Sequence, residues 1–220
     1  MFVMSAPQTL PRPTIVPLGD SALLVRFGTT LTDTANAAAI AFAHMLDTFP
    51  ISGVVEVVPN LISVMLRYDP HRTEPAVIAG EIRVRMGRTA QNINGARRWT
   101  IPAVFDGPDL DELATSLAMS VADFIAAHNA STLRVLATGF APGFVYCGLH
   151  PEGLIVPRRA GVRPAVPPGS ILFAAGQTAI TATEMPTGWH VIGRTDFANF
   201  DPLADPPTRL AAGDIVEFAA

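Results

Sequence analysis

Short apolar runs separated by turn residues make up most of the chain, and their spacing changes along it. Residues 14–18 and 22–27 are rich in Val, Ile and Leu, as strands are, and Gly19-Asp20 between them is a hairpin signal. From about residue 33 to Thr48 the apolar positions follow a helical period. Ala37, Ile40, Ala41, Met45 and Leu46 fall on one face, Thr32 or Asp33 can cap the start, and Pro50 stops the run. Residues 54–58 and 61–68 form a second strand pair around Pro59-Asn60, ended by Asp69-Pro70, and residues 74–86 a second helix. This ββαββα half predicts a small α/β sandwich spanning 9–87.

Residues 88–98 are polar, carry Asn92, Asn94 and Gly95, and show no period, which predicts a linker. A new strand begins at Trp99 and runs to Phe105. Asp109 is placed to cap a helix, with Asp111 and Glu112 near its positive end. Ser120 caps another helix over 121–128, with Asp123 in a variant of the capping box. Residues 132–138 are strand-like, further short strands are predicted at 170–175, 179–183 and 189–193, and a last one at 215–218. Many short strands between turns predict a small barrel over 99–220. The fold class is therefore α+β.

Between strands, residues 139–202 interleave Gly and Pro with Phe, Tyr, Trp and Arg. A barrel needs turns, which accounts for the Gly and Pro. It does not account for the aromatic and Arg residues beside them, so this stretch is where a binding surface is expected.

Composition narrows the chemistry. The 220 residues are 49% apolar and 15% charged, enough for a sizeable core and against global disorder. A net charge of -4 argues against a nucleic-acid partner. There is no Lys; all fifteen basic residues are Arg. That excludes a Schiff-base lysine, biotin carried on this chain and the lysine of a phosphate-binding loop. Cys147 stands alone, so no disulfide forms within the chain. The first residues lack the basic region of a signal peptide, and no run of about 18 apolar residues predicts a membrane span. A cytoplasmic protein is expected.

His44 is expected to be part-buried in the first helix and His71 solvated in a turn. His128 sits at a helix C-terminus, where the dipole favours the cation and would raise its pKa. It is a helix cap, a general acid or base, or a phosphate ligand. His150 lies near Cys147, but that thiol has no cationic neighbour in sequence and reads as a small buried residue. No metal site is spaced correctly. Arg158, Arg159 and Arg163 cluster between Pro157 and Pro164. They suit carboxylate or phosphate oxygens, or else pair with acids such as Glu152. Gln177, Trp189, Arg194 and Asp201 fall at strand ends or turns.

An ordered series of short segments then resembles a known family. It includes Pro17-Leu18-Gly19-Asp20, Gly107-Pro108-Asp109-Leu110, Ala127-His128, Gly139-Phe140-Ala141-Pro142-Gly143-Phe144, Pro157-Arg158-Arg159, Pro168-Gly169-Ser170, Gln177-Thr178, Gly193-Arg194-Thr195 and Phe200-Asp201-Pro202. The chain is similar to the family of the B component of 5-oxoprolinase, also labelled allophanate hydrolase subunit 1 or Kip-type inhibitor of a histidine kinase, and to carboxyltransferase subdomains C and D. The resemblance implies a cyclophilin-like barrel after an α/β domain. It implies one part of an ATP-dependent, Mg-assisted hydrolase that opens 5-oxoproline to glutamate and is inactive alone. A homologous barrel partner of the C-component type, as heterodimer or heterotetramer, and a LamB/YcsF-type third component are implied with it. A kinase inhibitor, or a carboxyltransferase half of urea metabolism, are the alternatives. On this resemblance His128, Arg158 and Asp201 are catalytic. Phe140, Pro142, Gly143, Phe144, Tyr146, Arg163, Gln177, Trp189 and Arg194 bind substrate or nucleotide. Val145-Tyr146-Cys147, Leu133, Ala179-Ile180-Thr181-Ala182 and Pro186-Thr187-Gly188 depart from the family's usual residues, and bear on substrate more than on fold.

Overall fold

The strand and helix signals of the first half resolve into β1 (Thr14–Leu18), β2 (Ala22–Arg26), α1 (Asp33–Thr48), β3 (Val54–Pro59), β4 (Ser63–Tyr68) and α2 (Pro75–Met86). They come from a computed structural model that describes residues 12–86 and 96–219. Contacts divide the chain into two units, Met1–Gly95 and Ala96–Ala220. Most of the expected linker, 88–95, lies outside the described residues.

In the first unit the four strands form an antiparallel sheet in the order β1-β2-β4-β3. Thr32 caps α1, its Oγ1 accepting from the Ala35 amide at 3.2 Å. The buried face of α1 is Ala35, Asn36, Ala39, Ile40, Phe42, Ala43 and Leu46, a rotation away from the expected one. Phe42 sets it: fully buried, its ring lies 5.5 Å from Phe27, and the largest apolar side chain outweighs small alanines. His44 is consequently exposed rather than part-buried. Asn36 is buried without penalty because its Nδ2 donates to the Leu61 carbonyl at 2.8 Å.

The second unit contains β5 (Arg98–Pro102), α3 (Leu110–Ser116), α4 (Val121–Asn129), β6 (Leu133–Thr138), β7 (Val145–Gly148), a 3-10 turn (Glu152–Leu154), β8 (Arg163–Val166), β9 (Ser170–Ala174), β10 (Gln177–Ile180), β11 (Met185–Thr187), β12 (His190–Arg194) and β13 (Ile215–Ala219). Seven of the strands make one sheet, ordered β12-β9-β10-β7-β6-β13-β5. All its pairs are antiparallel except β5 with β13. β8 and β11 form a separate ribbon.

The sheet curls until its ends meet. Val104 and Arg194 exchange both backbone hydrogen bonds at 2.9 Å, and the Gly107 and Asp109 amides donate to Ile192 and Val191 carbonyls at 3.2 and 3.1 Å. Residues 104–109 thus cover the free edge of β12.

Apolar side chains fill both faces. Ile171, Phe173, Ile180, Cys147 and Val135 belong to the main core. Leu172, Ala174, Ala179, Val191, Phe144, Met185 and Trp189 form a second cluster. Hence all five residues of β9 are buried, and the run shows no alternation. Ser120 caps α4 as expected, accepting from the Asp123 amide at 3.1 Å and donating to its carboxylate at 2.7 Å.

Candidate functional site

Residues 139–143 form a tight loop between β6 and β7. Gly139 and Gly143 have φ of +116° and +69°. A Cβ on Gly143 would stand 2.5 Å from that of Phe200, so only glycine fits. The loop is pinned by Gly139 N donating to the Phe144 carbonyl (3.0 Å) and by Asn199 Nδ2 donating to the Gly143 carbonyl (2.8 Å). Inside it Phe140 has φ +82° and is 78% exposed. A bulky residue in the left-handed region is strained, and such strain collects at functional positions.

From Phe140 a line of aromatic rings runs across the sheet. Phe140 meets Phe144 at 5.8 Å, Phe144 meets Tyr146 at 4.8 Å, and Tyr146 meets Trp189 at 6.0 Å, all edge-on or steeply inclined. The Arg158 guanidinium lies 5.8 Å over the Trp189 ring and ends the line. Phe144 and Trp189 are buried, Tyr146 is half-buried and Arg158 exposed. Burial raises the Tyr146 pKa, and the charge of Arg158 opposes that rise. Pro142, in the same loop, is exposed.

The three loop arginines do not act alike. Arg159 and Arg163 both donate to Asp109 Oδ1, at 2.6 and 2.5 Å, while the Val191 amide donates to Oδ2 at 2.8 Å. Burial alone would raise the Asp109 pKa. The Val191 amide, then Arg163 and Arg159, outweigh it and hold the carboxyl below its usual range. Asp109 stands at the start of α3 as read from sequence, but makes no side-chain cap bond; two guanidiniums and an amide take its oxygens instead. Glu152 is not their partner among the described residues. Arg158 has no carboxylate partner among them either.

His128 lies elsewhere, inside the core. It is fully buried, with Nε2 2.8 Å from Thr178 Oγ1 and Nδ1 2.8 Å from Asn129 Oδ1. His150 Nε2 reaches the same Thr178 oxygen at 2.8 Å. Phe105, Phe124, Phe173 and Phe218 surround the His128 ring. Burial pushes the His128 pKa down to about 4, against the rise expected from the helix end. Burial, then the neighbouring His128, push His150 down to about 3. Desolvation outweighs the helix dipole because the surrounding phenyl rings seal the imidazole from solvent. Cys147 is buried and its thiol pushed up to about 12, so it is no nucleophile.

The remaining expected site residues are dispersed. Gln177 opens β10 and its Oε1 is buried without a hydrogen-bond partner. Arg194 pairs with Asp106 at 3.0 Å and lines a groove of about 480 Å³ with Thr195, Asp196 and Phe197. Asp201 accepts from the Leu203 amide at 2.9 Å in an exposed turn. The structure thus gathers Phe140, Phe144, Tyr146, Trp189 and Arg158 into one face. Apart from that face it gives roles to Asp109, which the local sequence marks only as a helix cap, to Thr178 in the core and to Asn199 under the 139–143 loop. That face offers aromatic surface, a phenol hydroxyl and one cation, and holds no nucleophile-base pair.

Comparison with known proteins bears on the chain as a whole. Residues 13–210 match the family described as carboxyltransferase domain, subdomain C and D. A Bacillus subtilis (strain 168) protein named as the B component of 5-oxoprolinase is 33% identical over 215 residues, covering 91% of this chain and 90% of that protein. One of the same name from Escherichia coli O157:H7 is 33% identical over 207 residues, covering 91% and 93%. The crystal structure of TTHA0988 is similar with a TM-score of 0.80 and 32% identity. There the likeness covers 90% of this chain but only 39% of that longer one.

Proposed function

This chain belongs to the family of the 5-oxoprolinase B component, built on carboxyltransferase subdomains C and D, and from that premise we propose that it is one part of an ATP-dependent enzyme that opens 5-oxoproline to glutamate. The observation that carries the reading is the near full-length likeness to proteins of that name, 91% of this chain against 90% of the Bacillus subtilis protein. The barrel is read as cyclophilin-like and the protein as cytoplasmic.

Physical chemistry supports a shared rather than a self-sufficient site. Transfer of the γ-phosphoryl group of ATP to the lactam oxygen releases ADP and makes the ring carbon electrophilic. Water adds there, and the ring C–N bond breaks with the nitrogen taking up a proton. Hydrolysis of the resulting acyl phosphate frees phosphate and glutamate. Such chemistry needs cations around the phosphoryl oxygens. Of the loop arginines, Asp109 holds Arg159 and Arg163, which leaves Arg158 at the end of the aromatic line. One exposed guanidinium does not cradle a triphosphate. ATP and its Mg are therefore assigned mainly to a partner protein, a related barrel, with a third component completing ring opening. Arg158 and the Phe140–Trp189 line form one wall of that composite cleft.

The test is reconstitution. The chain alone should release no glutamate from 5-oxoproline and ATP; with partners of the C-component and LamB/YcsF types it should, and Arg158→Gln should reduce the rate at least about tenfold. A complex that assembles and stays inert rejects the reading. The family's carboxyltransferase description favours a second one, transfer of a carboxyl group from biotin carried on another chain. Carboxylation with a biotinylated partner, and no opening of 5-oxoproline, would select it.

A further inference from the structure

Asp109 does more in this fold than begin a helix. It is 2% exposed, and its carboxylate collects three donors from sequence-distant segments: Arg159, Arg163 and the Val191 amide. Its own amide donates back to the Val191 carbonyl at 3.1 Å. Arg163 opens β8 and pairs across the ribbon with Thr187 of β11. The Arg159 amide donates to the Gly188 carbonyl at 2.8 Å, the residue before Trp189. One buried carboxylate therefore fastens the segment that carries Arg158 and the strand that follows Trp189.

Prolines at 157 and 164 bracket the segment, but Gly161 lies within it. Backbone stiffness alone would leave Arg158 many positions. Charge-assisted bonds to a desolvated carboxylate are short and directional, and holding a group in a reactive geometry is a large part of catalysis. We infer that Asp109 is the positioning residue of this site: by anchoring Arg159 and Arg163 it fixes Arg158 over Trp189 and beside Tyr146. This rests on the functional reading above only where activity is measured. Asp109 touches no substrate and acts through Arg158.

Two measurements separate this role from simple structural support. The chain has two tyrosines, Tyr68 and Tyr146, so phenol ionisation can be followed by absorbance, with Tyr146→Phe to assign the signal. Arg158 favours Tyr146 phenolate. Asp109→Asn, which keeps side-chain shape but loses the charge that holds two guanidiniums, should shift the Tyr146 titration upward. Arg158→Gln should shift it by the same amount, and the double variant no further. In the reconstituted complex the same pair should be non-additive in kcat/KM, each single change lowering it about ten- to a hundredfold. If Asp109→Asn does not fold, Arg163→Gln, which leaves Arg159 and the Val191 amide on Asp109, is measured instead. An unchanged Tyr146 titration in a folded variant, or additive effects with Arg158→Gln, overturns the proposal. Wild-type inactivity counts against the function alone, because the titration needs no partner.

Discussion

Two buried histidines share one threonine hydroxyl, and counting protons fixes their arrangement. Asn129 Oδ1 accepts, so His128 carries its proton on Nδ1 and its Nε2 accepts from the Thr178 hydroxyl. Thr178 oxygen then accepts from His150 Nε2–H, which leaves His150 Nδ1 a bare lone pair without a partner. Both rings are neutral when folded. In the unfolded chain each protonates near pH 6.5, whereas in the fold His128 does so near 4 and His150 near 3. The unfolded state thus binds more protons across that window, so stability is complete above about pH 7 and falls as pH drops through 6.5 toward 4. Urea midpoints between pH 8 and 4.5 should decline over that interval, and a His128→Phe, His150→Phe double variant should flatten the decline. Thr178→Val removes the shared partner of both rings and should destabilise by about 2–4 kcal/mol at neutral pH. Residue chemistry was partly legible in sequence. The Ser120 and Thr32 caps were, because their partners lie three residues away. Asp109 was not: its partners lie 50, 54 and 82 residues off, and a local pattern can offer only the helix-cap role.

Elements follow the same rule of distance. The ββαββα order was legible because each signal is a period within one segment. β10 starts at Gln177, earlier than its apolar run, since Ala175 and Gly176 at φ +52° and +69° already make the turn from β9. β7, β8 and β11 are three or four residues long; none has room to show a period, and only pairing defines them. The meeting of the sheet's ends was equally hidden, although two glycines mark it. A Cβ on Gly193 would lie 2.4 Å from the Val104 carbonyl oxygen, and one on Gly107 2.2 Å from that of Val191. Neither glycine has a positive φ, so proximity alone requires them. Gly193→Ala should therefore destabilise the second unit by about 1–3 kcal/mol, read from urea unfolding followed by Trp fluorescence. Gly153→Ala, where a Cβ meets nothing within 4 Å, should change stability by less than about 0.5 kcal/mol.

At the scale of the whole chain, each unit is described by its own apolar clusters. One core runs from Leu23 to Ile82; the others lie between Ile101 and Phe218. Residues 96–220 expressed alone should unfold cooperatively in urea, and a broad, probe-dependent transition would show that they need the rest of the chain. The second unit also has its own clasp. Asp214 takes Arg97 through two guanidinium bonds of 3.2 and 2.7 Å and Trp99 Nε1 at 3.0 Å, joining the start of that unit to its last strand. Its carboxyl is raised by burial but lowered further by Arg97, the Ala211 amide and Trp99.

The curled sheet carries one more consequence. Open sheets recruit other chains by lending them an unpaired edge. Here the segment 104–109 already sits along β12, its amides and carbonyls spent on Val191, Ile192 and Arg194. A visiting strand would find that edge taken. Proteins that join this unit there must do so through side chains, and among the described residues the large ring held out on the site face is Phe140. Docking specificity would then be written in a single strained loop, and could change between relatives without any alteration of the sheet beneath.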